Sequence, residues 1–165
     1  MSEQLLPGYI IRRGSALDRS LLLKFMQRTY QDLFPNEDFS HLEQTVKQYF
    51  SSDTPLWWVD FLGEGDHPMP HAPCPIACLW VGNAIDQVHG NRHAHIFILY
   101  VVPEHRRRGI GRALMRYVEN WAIQRGDRQI GLQVFQSNKP ALNLYNQLGY
   151  QTQSLWMVKF LSPEQ

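Results

Sequence analysis

The sequence predicts an α/β chain of the α+β kind, a central mixed β-sheet flanked by helices, and three observations predict it. An apolar run from Ile96 to Val102 stops at Pro103, and helical spacing takes over soon after, at Ile110, Ala113, Leu114, Tyr117, Val118, Trp121 and Ala122. Ile130, Leu132 and Val134 alternate with Gln129, Gly131 and Gln133, the period of a strand. Two amphipathic stretches also precede two further strand-like runs, so the order reads β-α-α-β-β-β-α-β-α-β-β.

Taken in order, Tyr9 to Arg12 is a first strand ended by Gly14. Ser15 and Asp18 are spaced as a capping box, and Leu22, Phe25, Met26, Thr29, Tyr30 and Leu33 recur behind them on one helical face. Pro35 closes that helix. Ser40 and Glu43 form a second capping-box pattern, ahead of a stripe of Leu42, Val46, Tyr49 and Phe50. Pro55 separates it from a strand, Leu56 to Leu62. Gly63 to Pro75 is a loop dense in Gly and Pro. Ile76 to Val81 reads as a strand, Gly82 to Arg92 as a hairpin connection, and His93 to Val102 as the central strand. Gly126 is placed to end the helix that follows. Pro140 suits the first turn of a last helix with Ala141, Leu144, Tyr145 and Leu148 on its face. Tyr150 to Gln153 and Leu155 to Leu161 read as two closing strands. Trp57, Trp58, Phe61 and Trp80 are expected to fill the core.

At 165 residues the chain is expected to form a single domain, 1–165, long enough for a sizeable core. A net charge of +1 provides no global field for nucleic acid or membrane. No stretch approaches the roughly 20 apolar residues of a membrane span, and the first ten residues lack the layout of a signal peptide. Two cysteines, Cys74 and Cys78, make no disulfide scaffold, so a cytoplasmic location is the expectation. His67, His71, Cys74 and Cys78 match no zinc-ligand spacing, and no metal is expected.

The basic character is local. Arg106, Arg107, Arg108 and Arg112 surround Gly109, Ile110 and Gly111 where the central strand gives way to a helix. The first N–H groups of a helix lack intrahelical partners, and the helix dipole is positive there. The two glycines let a bulky anion approach the backbone, and the arginines add forked donors. The stretch is therefore a candidate phosphate cradle. It is not a Rossmann fingerprint, because Leu114 stands where the closing Gly or Ala belongs, and no Walker A loop is present.

With Arg106, Gly109 and Gly111 the stretch resembles the acetyl-CoA motif Q/R-x-x-G-x-G/A of the GCN5-related N-acetyltransferase (GNAT) family. Downstream, Asn138 to Tyr150 matches that family's pattern N-x-x-A-x-x-L-Y-x-x-x-G-F/Y. The resemblance covers Ile96 to Tyr150 well and the first 90 residues only in layout. It implies the acyl-CoA N-acyltransferase fold with a twisted mixed sheet, acetyl-CoA as co-substrate, and an amine of a small molecule or protein as acceptor. It also implies that the backbone of Leu99, Tyr100 and Val101 pairs with the pantetheine arm where the central strand parts from its neighbour. Arg106 to Arg112 would hold the pyrophosphate, Asn138 would touch the cofactor, and Tyr145 would bind there and act as the acid. A phenol with a pKa of about 10 is protonated at neutral pH and can donate to a departing thiolate.

The base is less plain. Family members carry a glutamate eleven residues before Arg106, where this chain has His95, or on the next strand, where it has Gln133. Gln133 cannot take a proton. His95, with an ordinary pKa of about 6.5, can. Glu104 is an outside candidate in the turn. Lack of a carboxylate base leans the site toward an acceptor less basic than a lysine amine, whose pKa is about 10.4. A CoA-binding regulatory or partner-binding module without turnover is the competing reading, and a homodimer is left open. Nucleic-acid binding by the arginine cluster is disfavoured, because no aromatics interleave it.

Overall fold

A computed structural model describes residues 2–63 and 74–162. Six strands form one sheet in the order β1 (Ser2–Leu6), β2 (Tyr9–Arg13), β3 (Leu56–Phe61), β4 (Pro75–Ile85), β5 (Arg92–Val101) and β6 (Ile130–Leu132). Each neighbouring pair is antiparallel except β5 with β6, which is parallel, so the sheet is mixed as expected. Four helices flank it: α1 (Arg19–Leu33), α2 (Leu42–Tyr49), α3 (Ile110–Arg125) and α4 (Lys139–Gln147).

The two faces of β3 show how the sheet is covered. Trp58 lies 5.1 Å, ring to ring, from Phe25 of α1, while Trp57 meets Tyr117 and Trp121 of α3. Successive strand side chains point to opposite faces, so α1 and α2 cover one side and α3 the other. Trp57, Trp58 and Trp80 are buried, as the sequence predicts, and Phe61 is half-buried. Two buried carboxylates are paired across elements. Asp60 takes hydrogen bonds from Arg12 at 2.5 and 3.5 Å. Asp127 takes the Ala94 N–H at 2.8 Å and the Arg125 guanidinium at 2.6 and 3.0 Å, tying the end of α3 to the start of β5.

Four expectations are corrected. Ser2–Leu6 is a strand that the sequence analysis missed; the Pro7-Gly8 turn, with Gly8 at φ +85°, folds it back on β2. Gly82 is not the start of a hairpin connection but lies inside β4, which runs on to Ile85. Phe97 packs over it: a Cβ at Gly82 would lie 2.1 Å from Phe97 Cζ. The Ser40 capping box does not form. Ser40 Oγ bonds Asp38, and α2 begins after His41 with no side-chain cap, whereas the Ser15–Asp18 box is present. The two closing strands are absent, for residues 151–162 belong to no strand or helix.

Candidate active site

The register of β5 builds the first part of the site. β6 pairs with it only at Ala94, His95 and Ile96, while β5 continues along β4 as far as Val101. From Phe97 onward the β6 side of β5 therefore has no strand partner among the described residues. Val102 N–H bonds Ile76 O at 2.8 Å, and Tyr100 lies opposite Cys78 two residues earlier. Hydrogen-bonding direction alternates along a strand, so Tyr100 turns its backbone groups to β4 while Leu99 and Val101 turn theirs to the open edge. Of the three residues implied for the pantetheine arm, only Leu99 and Val101 thus offer main-chain groups there. Tyr100 instead sends its hydroxyl to Asp32 of α1 at 2.9 Å, and burial with that carboxylate pushes its pKa up to about 12.

The second part is the turn between β5 and α3. A 3-10 turn at Pro103–His105 is followed by Arg107 at φ +64° and Gly109 at φ +84°, both left-handed. Left-handed residues in a turn curl successive N–H groups toward one point, an anion-binding concavity. α3 starts at Ile110, so the N–H groups of Ile110, Gly111 and Arg112 face the same end without intrahelical partners. Nothing lies within 4 Å of a Cβ built on Gly109, so the backbone is open to a large group.

The arginines divide. Arg106 gives its Nε to Val101 O at 2.8 Å and a terminal nitrogen to Asp32 at 2.9 Å. Arg108 donates to Tyr9 Oη at 2.9 Å, and that hydroxyl shares a hydrogen bond of 2.7 Å with His105 Nδ1. Arg112 donates to Gln147 Oε1 at 2.5 Å. Arg107 has no side-chain partner among the described residues. Three of the four arginines expected at a phosphate thus also hydrogen-bond groups of the protein.

The third part is α4. A Cβ on Gly111 would lie 3.4 Å from Leu144 Cδ2, and Arg112 reaches Gln147, so the two sequence motifs dock on each other. Tyr145 sits beside that contact. Its ring lies 5.8 Å from Tyr150, its hydroxyl has no hydrogen-bond partner among the described residues, and burial pushes its pKa up to about 12. Asn138 caps α4 by accepting the Ala141 N–H at 3.4 Å. That accounts for the residue without a ligand.

His95 stands one residue before the last paired rung of β5, opposite Gly131. A Cβ on Gly131 would lie 3.6 Å from His95 Nδ1 and 3.2 Å from His93 Cε1, so the two histidines share that spot. His93 Nδ1 donates to Ala94 O at 2.9 Å. Burial, with His93 adding to it, holds the pKa of His95 below the ordinary value. Sequence reasoning missed His93 as its neighbour, although alternation along a strand puts residues two apart on one face. Glu104 is exposed in the turn. His67 and His71 lie outside the described residues. Cys74 is exposed, Cys78 is buried, and no metal-binding cluster occurs among the described residues.

These features can be set against known proteins. The model of the Acetyltransferase (GNAT) family matches residues 23–150. Streptothricin acetyltransferase of Streptomyces lavendulae is 38% identical over 60 residues, which are 36% of this chain and 32% of that protein. Peptidyl-lysine N-acetyltransferase YiaC of Escherichia coli is 42% identical over 52 residues, 32% of each chain. The matches thus span about a third of these relatives' own length. A solved structure of a predicted acetyltransferase with acetyl-CoA, from Clostridium acetobutylicum, superposes with a TM-score of 0.69 at 19% identity, covering 93% of this chain and 96% of that one. At that identity the likeness is one of fold.

Proposed function

The chain belongs to the GNAT acetyltransferase family, and from that premise we propose that it is an N-acetyltransferase moving the acetyl group of acetyl-CoA to a primary amine. One observation carries the reading: a left-handed, glycine-bearing turn opens α3 directly beside the strand edge that β6 leaves free. That juxtaposition fits a diphosphate joined to a long amide-bearing arm. The N–H groups of Ile110, Gly111 and Arg112 would hold the diphosphate with the Arg107 side chain, and Leu99 and Val101 would pair with the arm's amides.

When bound, acetyl-CoA supplies a thioester carbonyl open to attack by an amine and a thiolate to be released. Inward-facing main-chain N–H groups of the β5 edge would polarise that carbonyl. Tyr145, protonated throughout the neutral range, would give its proton to the leaving sulfur. His95, held neutral at pH 7, would accept a proton from the amine directly or through water. A base of depressed pKa serves a weakly basic amine better than a lysine side chain, so we favour an acceptor of the former kind.

The test is release of free CoA from acetyl-CoA across a panel of α-amines, lysine peptides and small polyamines. Release with at least one amine, saturable in both substrates, supports the reading. CoA binding with no release from any acceptor favours a module without turnover.

A further inference from the structure

We propose that Tyr9 is a positioning residue for the turn between β5 and α3: its hydroxyl, reaching from β2, holds His105 and Arg108 so that the turn keeps its anion-binding shape before a ligand arrives. The inference rests on the reading of that turn as a diphosphate site. It adds to the site a residue 96 and 99 positions away from its two partners in the chain.

Tyr9 opens β2, directly after the Pro7-Gly8 turn, and pairs with Phe61 of β3. The two rings lie 5.1 Å apart, and Tyr9 is only 5% exposed. His105 packs edge-on against both, 5.6 Å from the Tyr9 ring and 4.8 Å from that of Phe61. Packing on the sheet thus fixes where the hydroxyl sits. From there it accepts the Arg108 N–H at 2.9 Å and shares a hydrogen bond of 2.7 Å with His105 Nδ1. A phenol oxygen can accept and donate at once, so one hydroxyl serves both. Burial, with Arg108 adding to it, holds the His105 pKa below its ordinary value. At neutral pH that ring therefore contributes a hydrogen bond and not a charge.

The turn needs such a hold. Arg107 lies between the two partners of Tyr9 and has φ +64°. A residue with a side chain is uncommon there and persists only where its surroundings over-determine it. Two clamps do so. Arg106 is tied to Val101 and Asp32 on one side, and His105 and Arg108 are tied to Tyr9 on the other. Gly109 and the first N–H groups of α3 follow Arg108 directly, so they inherit its position. A ligand that met a loosened turn would have to order it first, which weakens binding. Tyr9 therefore acts on affinity through the turn and not on the chemical step.

Titration calorimetry with CoA tests this on the wild type, Tyr9→Phe, His105→Phe, the double variant and Ile11→Val. Tyr9→Phe keeps the ring and loses both bonds, so its Kd should rise roughly fivefold. His105→Phe keeps an aromatic ring beside Phe61 and loses one bond, so its Kd should rise about twofold to threefold. The double variant should bind no more weakly than Tyr9→Phe, because the two residues act as one unit. Ile11→Val loosens the core of the same strand without touching the turn, and should leave the Kd unchanged. In initial-rate kinetics Tyr9→Phe should raise the KM for acetyl-CoA and leave kcat as it is. Unchanged affinity in Tyr9→Phe, an equal loss in Ile11→Val, or additive losses in the double variant overturns the proposal while the diphosphate reading stands. A wild type that binds no CoA overturns that reading and this inference with it. If Tyr9→Phe fails to fold, His105→Phe with Ile11→Val decides the matter by the same comparison.

Discussion

The Val101 carbonyl oxygen accepts the Arg106 Nε–H at 2.8 Å, so an arginine that the motif offers to phosphate also braces the strand edge before it. The same guanidinium reaches Asp32 of α1 at 2.9 Å, with side chains that are partly exposed at both ends. Arg106 therefore couples three elements around the mouth of the site, while Arg107 stands free in a left-handed conformation.

The two arginines should separate in a variant pair. Arg106→Ala loses two hydrogen bonds and is expected to lower stability by about 1 kcal/mol. Arg107→Gly relieves a left-handed side-chain residue, so stability should hold or rise by up to about 1 kcal/mol. Its KM for acetyl-CoA should nevertheless rise roughly tenfold through loss of one cation, a change worth about 1.4 kcal/mol. Urea unfolding and initial-rate kinetics on both proteins check this.

Tyr145→Phe removes a hydroxyl that bonds nothing among the described residues, so stability should barely move. Loss of the acid is expected to lower kcat by about 10²-fold with the KM for acetyl-CoA little changed. The shape of the rate profile across neutral pH should match the wild type's, because the phenol it loses, at about 12, does not titrate there. A variant that keeps the full rate would remove Tyr145 from the acid role.

For His95 the sign follows from its environment. Burial disfavours the imidazolium, so the folded pKa lies below the ordinary 6.5. The neutral form and its contribution to stability are fully present above pH 6.5 and are lost as pH falls through the folded pKa. If His95 is the base, kcat/KM has an acid limb placed below pH 6.5, and His95→Gln abolishes that limb along with most of the rate. His93→Gln should move the limb upward, because His93 helps to hold the His95 pKa down, without abolishing it.

Gly82 lies under the Phe97 ring, where Phe97 is the extra residue of a bulge: Trp80 pairs with Ile98, and Val81 with Ile96. A Cβ there would meet Phe97 Cζ at 2.1 Å, well inside contact distance. Gly82→Ala should cost about 2 kcal/mol as an overpacked site, and Gly82→Ala with Phe97→Leu should recover much of it. Thermal unfolding of the single and double variants measures both.

The helices were legible because a 3.6-residue period, Gly126 and Pro140 all act locally. The β5 turn and α4 were legible because their motifs place chemistry-bearing residues at fixed spacing. What the sequence hid depends on distant partners. Arg106 with Asp32, and Asp60 with Arg12, join residues 74 and 48 positions apart. The strand at Ser2–Leu6 reads as polar because it is an edge strand with exposed side chains. Gly82 reads as a turn because glycine usually ends strands, whereas here it makes room for a ring. Residues 155–161 have a strand's sequence, but a ladder needs a neighbour that this single chain does not place beside them.

Titration calorimetry with CoA and acetyl-CoA tests the central claim, that backbone amides at the start of α3 grip a diphosphate. The wild type should release heat with a Kd in the micromolar to low millimolar range, and Gly111→Glu, which sets a carboxylate at that helix end, should release none while remaining folded. Gly109→Ala should bind more weakly, since a Cβ is strained at φ +84°. No heat from the wild type at millimolar ligand, or undiminished binding by Gly111→Glu, would contradict it.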